Sequence, residues 1–592
     1  MTTEIPGGGE YLIRETPCES IFTPEDFSDE QKQIAETTEQ FVENEILPHI
    51  EEIDAQNFDL VIEGMQKCGD LGLLMIDVPE EYGGLELDKA TSMLVGEKIA
   101  PSGSFSVVYA CHTGIATLPL VYYGTAAQKD KYLEKLTTGE WCGAYCLTEP
   151  GSGSDALGAQ ATATLSSDGK HYLLNGTKQY TTNGGFAKLF TIFAKIDKEH
   201  FTAFLVENDF EGLIVGKEEK KMGIKGSSTT QIILDNCKVP VENVLGEIGR
   251  GHKIAFNVLN VGRFKLGACV TGAAKFAMLE GVKYGNERKQ FGTPIGQFGA
   301  IQEKIADMAA DIFAAESLVY RLAGLLDEKL ATIDRSIDNY YVEYQKGIEE
   351  YSAECAIAKV FCSETLAHVV DEVVQIHGGY GFCSEYPAER FYRDERINRI
   401  FEGTNEVNRL LIPGMILRKS MKGELPLQSE AMKAFEALMT PSFEELDDQI
   451  LFAAEKMLIK NLKTLFLILA GAGVQKHMTR LADEQEILLA AADLAIQIFA
   501  VESAVLRAEK VFPIASVRKQ ELLKAVVKIC AFNTSEAAGS AARKGAFYLE
   551  EGDNLTMILS GVRRFSKYDA TGLLEAKRTL ASVTSEEEKY LF

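Results

Sequence analysis

Tyr145-Cys-Leu-Thr-Glu-Pro-Gly-Ser-Gly-Ser-Asp155 marks the point at which the periodicity of the chain changes. An apolar run ends there, and after Pro150 the chain enters a glycine/serine turn. Upstream, Ser28-Asp-Glu-Gln31 has the form of a capping box, with Ile34, Phe41, Val42, Ile46 and Leu47 following at helical spacing up to Pro48. Helical patterns then alternate with Gly/Pro corners as far as Trp141. From Ala144 to about Leu245, short β-rich runs such as Leu189–Ile196, Thr202–Val206 and Thr230–Leu234 are separated by Asn-Gly, Asp-Gly and other turn signals. This spacing predicts a small antiparallel barrel or sandwich. After Gly251 the helical period returns in the long segments Ile254–Glu287, Gly299–Asp327, Tyr341–His377 and Glu406–Leu417, as expected of antiparallel bundle helices.

The predicted fold is therefore mainly α with a β-domain. An extension over 1–27 precedes an N-terminal helical domain over 28–143, a β-domain over 144–250 and a four-helix bundle over 251–420. A polar linker over 421–442, bracketed by Pro426 and Pro441, leads to a C-terminal helical region over 443–592. Ala306-Asp-Met-Ala-Ala-Asp-Ile-Phe-Ala-Ala-Glu-Ser-Leu-Val-Tyr-Arg321 recurs as Ala492-Asp-Leu-Ala-Ile-Gln-Ile-Phe-Ala-Val-Glu-Ser-Ala-Val-Leu-Arg507 at a constant offset. Polar as well as apolar positions match, so the C-terminal region is expected to duplicate part of the bundle and pack as a second copy of its helices.

A chain of 592 residues is too long for one core, and 46% hydrophobic with 25% charged residues is the balance of a soluble globular protein. The net charge of −27 argues against nucleic acid as a partner, which needs a basic face. The 11 cysteines show no CxxC pair and no zinc-like spacing, so neither a disulfide framework nor a metal site is expected, and a reducing, cytoplasmic location fits. The polar, glycine-bearing stretch Met1–Thr23 lacks the marks of a signal or transit peptide. No run reads as long and apolar enough to span a bilayer, Leu462–Val474 being the longest candidate.

In Arg399-Ile-Phe-Glu-Gly-Thr-Asn405 an acid occupies a glycine-flanked corner just before an amphipathic helix. Placed in a dry cavity, Glu402 is a candidate general base, because desolvation raises its pKa; the alternative is an acid placed to complement a helix dipole. Arg263 lies in a long apolar helix whose glycines, Gly262, Gly267 and Gly272, permit close backbone approach. It either makes an interhelical ion pair or orients Glu402 or a ligand. The turn at 145–155 offers N–H groups and the hydroxyls of Thr148, Ser152 and Ser154 to a heteroaromatic edge or an anion. Tyr180, in Gln179-Tyr-Thr-Thr-Asn-Gly-Gly185, lies either in a core or against a flat cofactor. Arg288 and Lys289 compensate a helix C-terminus or bind phosphate. The glycines of Gln375-Ile-His-Gly-Gly-Tyr-Gly381 let a ligand rest on backbone, and His377 is given no role. No GxGxxG follows a strand and opens a helix, so a dinucleotide must be bound by other means.

Taken in order, Tyr145–Asp155, Lys178–Gly185, Gly262-Arg263, Glu287–Gly292, Gln375–Gly381, Arg393-Asp394 and Phe401–Arg409 make the chain resemble the acyl-CoA dehydrogenase family over about residues 28 to 420. The resemblance implies a helical domain, a β-domain and a four-helix bundle, with FAD bound in extended form at a subunit interface. It implies that Glu402, assisted by Arg263, removes the α-proton of a fatty acyl-CoA thioester while the β-hydrogen leaves as hydride to FAD, giving a trans-2-enoyl-CoA. Electrons would pass to electron-transfer flavoprotein. The Glu402 N–H and a flavin hydroxyl would polarise the thioester carbonyl. By the same resemblance Tyr145, Leu147, Thr148, Gly153, Ser154, Tyr180, Thr181 and Thr182 line the flavin, and Thr404, Asn405 and Glu406 sit near it. Arg288 and Gln375 reach the FAD of a neighbouring subunit. Ser154, Asn260, Val261, Gly262, Arg263 and Gly403 meet the acyl-CoA. Many relatives carry Trp where this chain has Tyr180. One branch carries its base at the position of Gly262, which has no side chain here.

The C-terminal extension resembles the very-long-chain branch and bacterial relatives that act on thioether-containing or other unusual acyl chains. It implies a homodimer and a peripheral membrane contact through the linker and extension. A flavin oxidase or monooxygenase and a non-catalytic acyl-CoA-binding protein are the alternatives on the same fold.

Overall fold

A computed structural model of the protein describes residues 5–440, 446, 447 and 449–592. The first long helix, Asp29–Phe41, starts as the capping box requires: Ser28 Oγ accepts the Gln31 N–H and the Gln31 side chain accepts the Ser28 N–H. Pro48 does not end the helical path. A π-helical turn at Val42–Ile46 and a 3-10 turn at Leu47–His49 absorb it, and Ile50–Asp54 is helical again.

The β-domain contains β1 (Gly143–Cys146), β2 (Thr162–Leu165), β3 (His171–Thr182), β4 (Leu189–Ile196), β5 (His200–Glu207), β6 (Leu213–Glu218), β7 (Thr229–Pro240) and β8 (Val244–Leu245). They form one sheet in the order β6-β7-β3-β2-β4-β5-β8, with β1 also on β4. Two pairings depart from the antiparallel expectation, because β1 and β2 both run parallel to β4. Their registers explain it. Gly143–Cys146 pair with Leu189–Ile192, and Thr162–Ala163 pair with Lys195–Ile196. The two strands lie end to end along one edge of β4, and the glycine/serine turn is the excursion that interrupts them.

The bundle consists of the helices Gly251–Glu287, Gly299–Ala331, Ser352–His377 and Asn405–Met421. The predicted Tyr341–His377 segment is broken at Tyr351 (φ −105°, ψ 26°) into Tyr340–Glu350 and Ser352–His377. The stretch expected to be a polar linker contains the helix Leu427–Met439. Pro426 precedes its first turn, where a missing N–H is harmless, and Leu427, Ala431 and Ala434 are buried at helical spacing. Pro441 and the predicted start of the C-terminal region at 443 lie outside the described residues.

The C-terminal helices Ala453–His477, Gln485–Val511, Val517–Leu549, Gly552–Phe565 and Leu573–Glu587 pack against the bundle. The two echoed segments face one another with reciprocal contacts. Arg321 pairs with Glu502 at 3.0 Å and Arg507 with Glu316 at 2.5 Å. Arg321 stacks over Phe499, and Arg507 over Phe313. Each residue thus meets the counterpart of its own partner, which is the pattern of a two-fold interface formed inside one chain. The N-terminal extension straps this junction, with Glu25 on Arg507 and the Tyr11 hydroxyl donating to the Ala495 carbonyl.

Contrary to the sequence expectation, three helical stretches among the described residues have the length and apolarity of a membrane span: Ser104–Tyr123, Ala453–Asp483 and Gln485–Ile514. Their most apolar windows are 61 to 78% buried within the fold, so their hydropathy is accounted for by packing between helices.

Candidate active site

Glu402 stands between a short 3-10 turn, Arg396–Arg399, and the helix Asn405–Met421, whose N-cap is Thr404. Its backbone is left-handed (φ 58°), as is that of Gly403 (φ 81°). Such a conformation in a bulky residue persists only when its surroundings hold it. Here they do. Asn408 Nδ2 donates to the carbonyls of Glu402, Gly403 and Thr404 at 3.3, 2.8 and 3.1 Å. Lys359 Nζ donates to Gly403 O at 2.8 Å, and Arg263 Nε to Glu402 O at 3.4 Å.

The corner turns the Glu402 carboxylate toward a cavity of about 1170 Å³. Its wall is mainly apolar and runs along one face of the helix Gly251–Glu287, through Gly262, Leu266, Val270, Ala273 and Ala277. Glu402 Oε2 is buried and has no hydrogen-bond partner. Burial pushes the pKa of Glu402 up to about 7, against the opposing pull of Arg263 and Lys359. A carboxylate that is desolvated, without a protein hydrogen-bond partner and partly deprotonated at neutral pH is suited to accept a proton from carbon. Gly262 makes the room, since a Cβ there would lie 2.4 Å from Glu402 Oε2. No acceptor among the described residues takes the Glu402 N–H.

The other sequence candidates divide into groups. Thr182 lines the same cavity. Tyr145 is buried on β1, beside it, with its hydroxyl 3.5 Å from the Ala255 carbonyl. Leu147, Thr148, Gly153 and Ser154 lie on the excursion between β1 and β2, where Gly151 and Gly153 have open space on their Cβ side. That excursion is anchored by a pair the sequence reading missed: Lys178 Nζ donates to Glu149 Oε1 at 2.7 Å, both side chains being buried. Burial pushes Glu149 up, but Lys178 and the N–H groups of Gln160 and Ala161 hold it below the usual carboxylate range. Tyr180 is 64% exposed, at a left-handed bulge between β3 and β7. It belongs to no core, which leaves its ring free for a ligand.

Three candidates point elsewhere. Thr181 is buried with its hydroxyl toward Cys146 Sγ, and Val261 is buried in the main core. The Asn405 side chain is committed to Lys359, Ser363 and Glu364. These three can offer only backbone to a ligand. Asn260 is turned to Arg263, whose Nη1 donates to Asn260 Oδ1 at 2.9 Å, and Arg263 sits over backbone, not over the Glu402 carboxylate. Glu406 is exposed on the first turn of its helix.

Arg288 lies at the opposite end of the helix that carries Gly262, roughly 39 Å away at about 1.5 Å per residue. It stacks over Tyr380 and lines a separate cavity of about 820 Å³ with Gly378 and Gly379, while Gln375 is exposed nearby. Both glycines have open space on their Cβ side. Within one chain the structure does not bring Arg288 and Gln375 to Glu402. His377 stacks on Tyr284 and donates its Nδ1–H to the Val373 carbonyl, a packing role. Lys359 and Asn408 were not found from sequence. A lysine in an apolar helix and an asparagine one turn into another carry no signal until the corner closes on them.

Four family models match the chain: "Acyl-CoA dehydrogenase, N-terminal domain" over 28–140, "middle domain" over 144–237, and "C-terminal domain" twice, by two different models, over 249–416 and 461–564. A "Probable acyl-CoA dehydrogenase" of Bacillus subtilis (strain 168) is 48% identical over 590 residues, 99% of each chain. The "Very long-chain specific acyl-CoA dehydrogenase, mitochondrial" of Mus musculus is 41% identical over 364 residues, 60% of this chain and 52% of that one. A crystal structure of an acyl-CoA dehydrogenase complexed with FAD from Bacillus anthracis superimposes with a TM-score of 0.96 at 47% identity, covering 99% of this chain and 100% of that one.

Proposed function

The chain belongs to the acyl-CoA dehydrogenase family, and from that premise we propose that it dehydrogenates long-chain fatty acyl-CoA thioesters at the α and β carbons, with Glu402 as the base. The observation that carries this reading is the buried, unpartnered Glu402 carboxylate facing a long apolar cavity.

The residues present fit FAD. Thr182 and the open glycines of the 147–154 excursion offer hydroxyl and backbone beside the cavity, and Tyr180 presents an unburied ring. Arg288, Gln375 and the open backbone at Gly378 and Gly379 are placed to hold the same group from a second subunit, in a homodimer. When bound, FAD supplies the acceptor for the β-hydrogen, which leaves as hydride.

The chain's own part is proton transfer and orientation. Glu402 takes the α-proton from the thioester onto a carboxylate oxygen, and the electron pair of the broken C–H bond becomes part of the new Cα–Cβ double bond. The unclaimed Glu402 N–H is aimed at the thioester oxygen, where negative charge develops. Arg263, Asn408 and Lys359 fix the corner so that amide and carboxylate are presented together. The apolar walls exclude water and keep the base reactive.

The cavity wall supports a long acyl chain. Gly262 and Ala277 both line it on one continuous helix, a span of roughly 22 Å at about 1.5 Å per residue. Electron-transfer flavoprotein is the proposed electron acceptor. Anaerobic titration of the yellow protein with saturated acyl-CoAs of increasing length tests the assignment. Bleaching fastest with long chains is expected, and bleaching confined to short chains, or absent with all, would reject it.

A further inference from the structure

The Glu402 corner is connected to the C-terminal domain by an unbroken series of polar contacts. Asp493, on the C-terminal helix Gln485–Val511, accepts from Arg409 Nε at 2.7 Å. Arg409, one turn into the helix that follows the corner, grips Glu364 with both terminal nitrogens at 2.6 and 2.8 Å. Glu364 Oε1 also accepts from Asn405 Nδ2 at 3.0 Å. Asn405 Oδ1 in turn accepts from Lys359 Nζ at 2.5 Å, and the same ammonium donates to the Gly403 carbonyl at 2.8 Å.

We propose that Asp493 and Lys359 are positioning residues for Glu402, so that the C-terminal domain helps to hold the catalytic corner. This rests on the role of Glu402 proposed above.

The chemistry of the chain supports it at each step. Lys359 is fully buried, and burial, with Arg263 adding to it against the pull of Glu402, Glu364 and Glu406, brings its pKa down to about 7; below that its ammonium donors must all be satisfied. Its acceptors are a backbone carbonyl of the left-handed corner and an amide oxygen, and Asn405 presents that oxygen because its nitrogen is held by Glu364 and Ser363. Glu364 is oriented by the two-pronged grip of Arg409, a geometry that fixes both planes. Asp493 takes the remaining Arg409 nitrogen from the side of the C-terminal domain. Removing it frees Arg409 to rotate, which loosens Glu364, Asn405 and finally the donor on Gly403. The charged groups that face Lys359 are Glu402, Arg263, Glu364 and Glu406, and those that face Glu402 are Arg263 and Lys359.

The test uses the full-length, FAD-loaded protein and the rate of anaerobic flavin bleaching by palmitoyl-CoA across pH. Asp493→Asn is expected to lower the limiting rate about three- to tenfold, with FAD content and half-saturating palmitoyl-CoA unchanged. Lys359→Met is expected to lower it further and to move the acid limb of the profile to higher pH, because a positive charge facing Glu402 is lost; Lys359→Arg restores part of the rate. Lys577→Met is the structural control. It breaks a different contact between C-terminal domain and bundle, to Glu303 and Asp307, that does not lead to the corner. It should lower the melting temperature and leave the rate alone. Wild-type bleaching in Asp493→Asn, or a loss no greater than in Lys577→Met, would overturn the proposal. If the unaltered protein is bleached by no acyl-CoA, the assigned reaction fails instead. The clamp is then judged from a crystal structure of Asp493→Asn, in which an unmoved 402–405 backbone with Lys359 still on Gly403 would reject it.

Discussion

Gly262→Ala separates fold from catalysis with one methyl group. The new Cβ would stand 2.4 Å from Glu402 Oε2, 2.8 Å from its carboxyl carbon and 3.2 Å from Oε1. Ordinary contact needs about 3.5 Å, so the carboxylate must retreat by roughly 1 Å. Helix backbone does not have to move, because the obstructing atoms are the end of a side chain that borders a cavity. In the helix interior, alanine is about 1 kcal/mol more favourable than glycine, so the variant should fold with equal or higher stability. Catalysis is a different matter. A base displaced by about 1 Å from its proton loses on the order of a hundredfold in rate. The assay is single-turnover bleaching of the bound flavin by a long-chain acyl-CoA in stopped flow, beside thermal melting of the same preparation. A variant that melts at or above the wild-type temperature and bleaches within about twofold of the wild-type rate would refute the steric assignment of Gly262 and the placement of the base.

Other consequences are as direct. Glu402→Gln should keep its yellow colour and lose bleaching by acyl-CoA, and unchanged bleaching would remove Glu402 from the mechanism. Because burial holds Glu402 near pKa 7, the bleaching rate should rise with pH through about 7, and a profile with its acid limb near 4.5 would contradict the buried geometry. The same shift has the opposite sign for stability: a pKa raised on folding means that protonation favours the native state, an increment complete below about 4.5 and lost as pH rises through about 7. Arg507→Met removes one of the two cations on buried Glu316, which keeps Lys275 and the Tyr590 hydroxyl, and should destabilise the protein by about 1–3 kcal/mol, read from chemical denaturation. Lys178→Met strands Glu149 beneath the 147–154 excursion, and FAD should be lost more readily on dialysis, with retention at wild-type level as the contrary result.

Much of the architecture was legible because it depends on local periodicity. The capping box at Ser28, the change to short strands after Ala144 and the long apolar repeats after Gly251 each name their element without knowledge of neighbours. Where a prediction failed, a contact distant in sequence had intervened. Pro426 looks like the edge of a linker until Leu427, Ala431 and Ala434 find the C-terminal helices, and β1 and β2 look like ordinary antiparallel strands until both align on one edge of β4. The apolar helices around Ser104–Tyr123 and Gln485–Ile514 show their membrane-like composition to be core composition only once their partners are in place.

For the site, sequence alone determined which carboxylate to suspect: an acid in a glycine-flanked corner before a helix, with a glycine and an arginine waiting on an apolar helix elsewhere. It also determined that the C-terminal region echoes the bundle, since that is a comparison of letters. Only the tertiary structure decided that Gly262 is the space occupied by Glu402, that Arg263, Lys359 and Asn408 hold backbone carbonyls of the corner, and that the echoed helices meet through reciprocal Arg–Glu pairs. The physical reason is that desolvation, hydrogen-bond satisfaction and steric exclusion are properties of what surrounds a group, and the chain brings those surroundings from residues up to 191 positions apart.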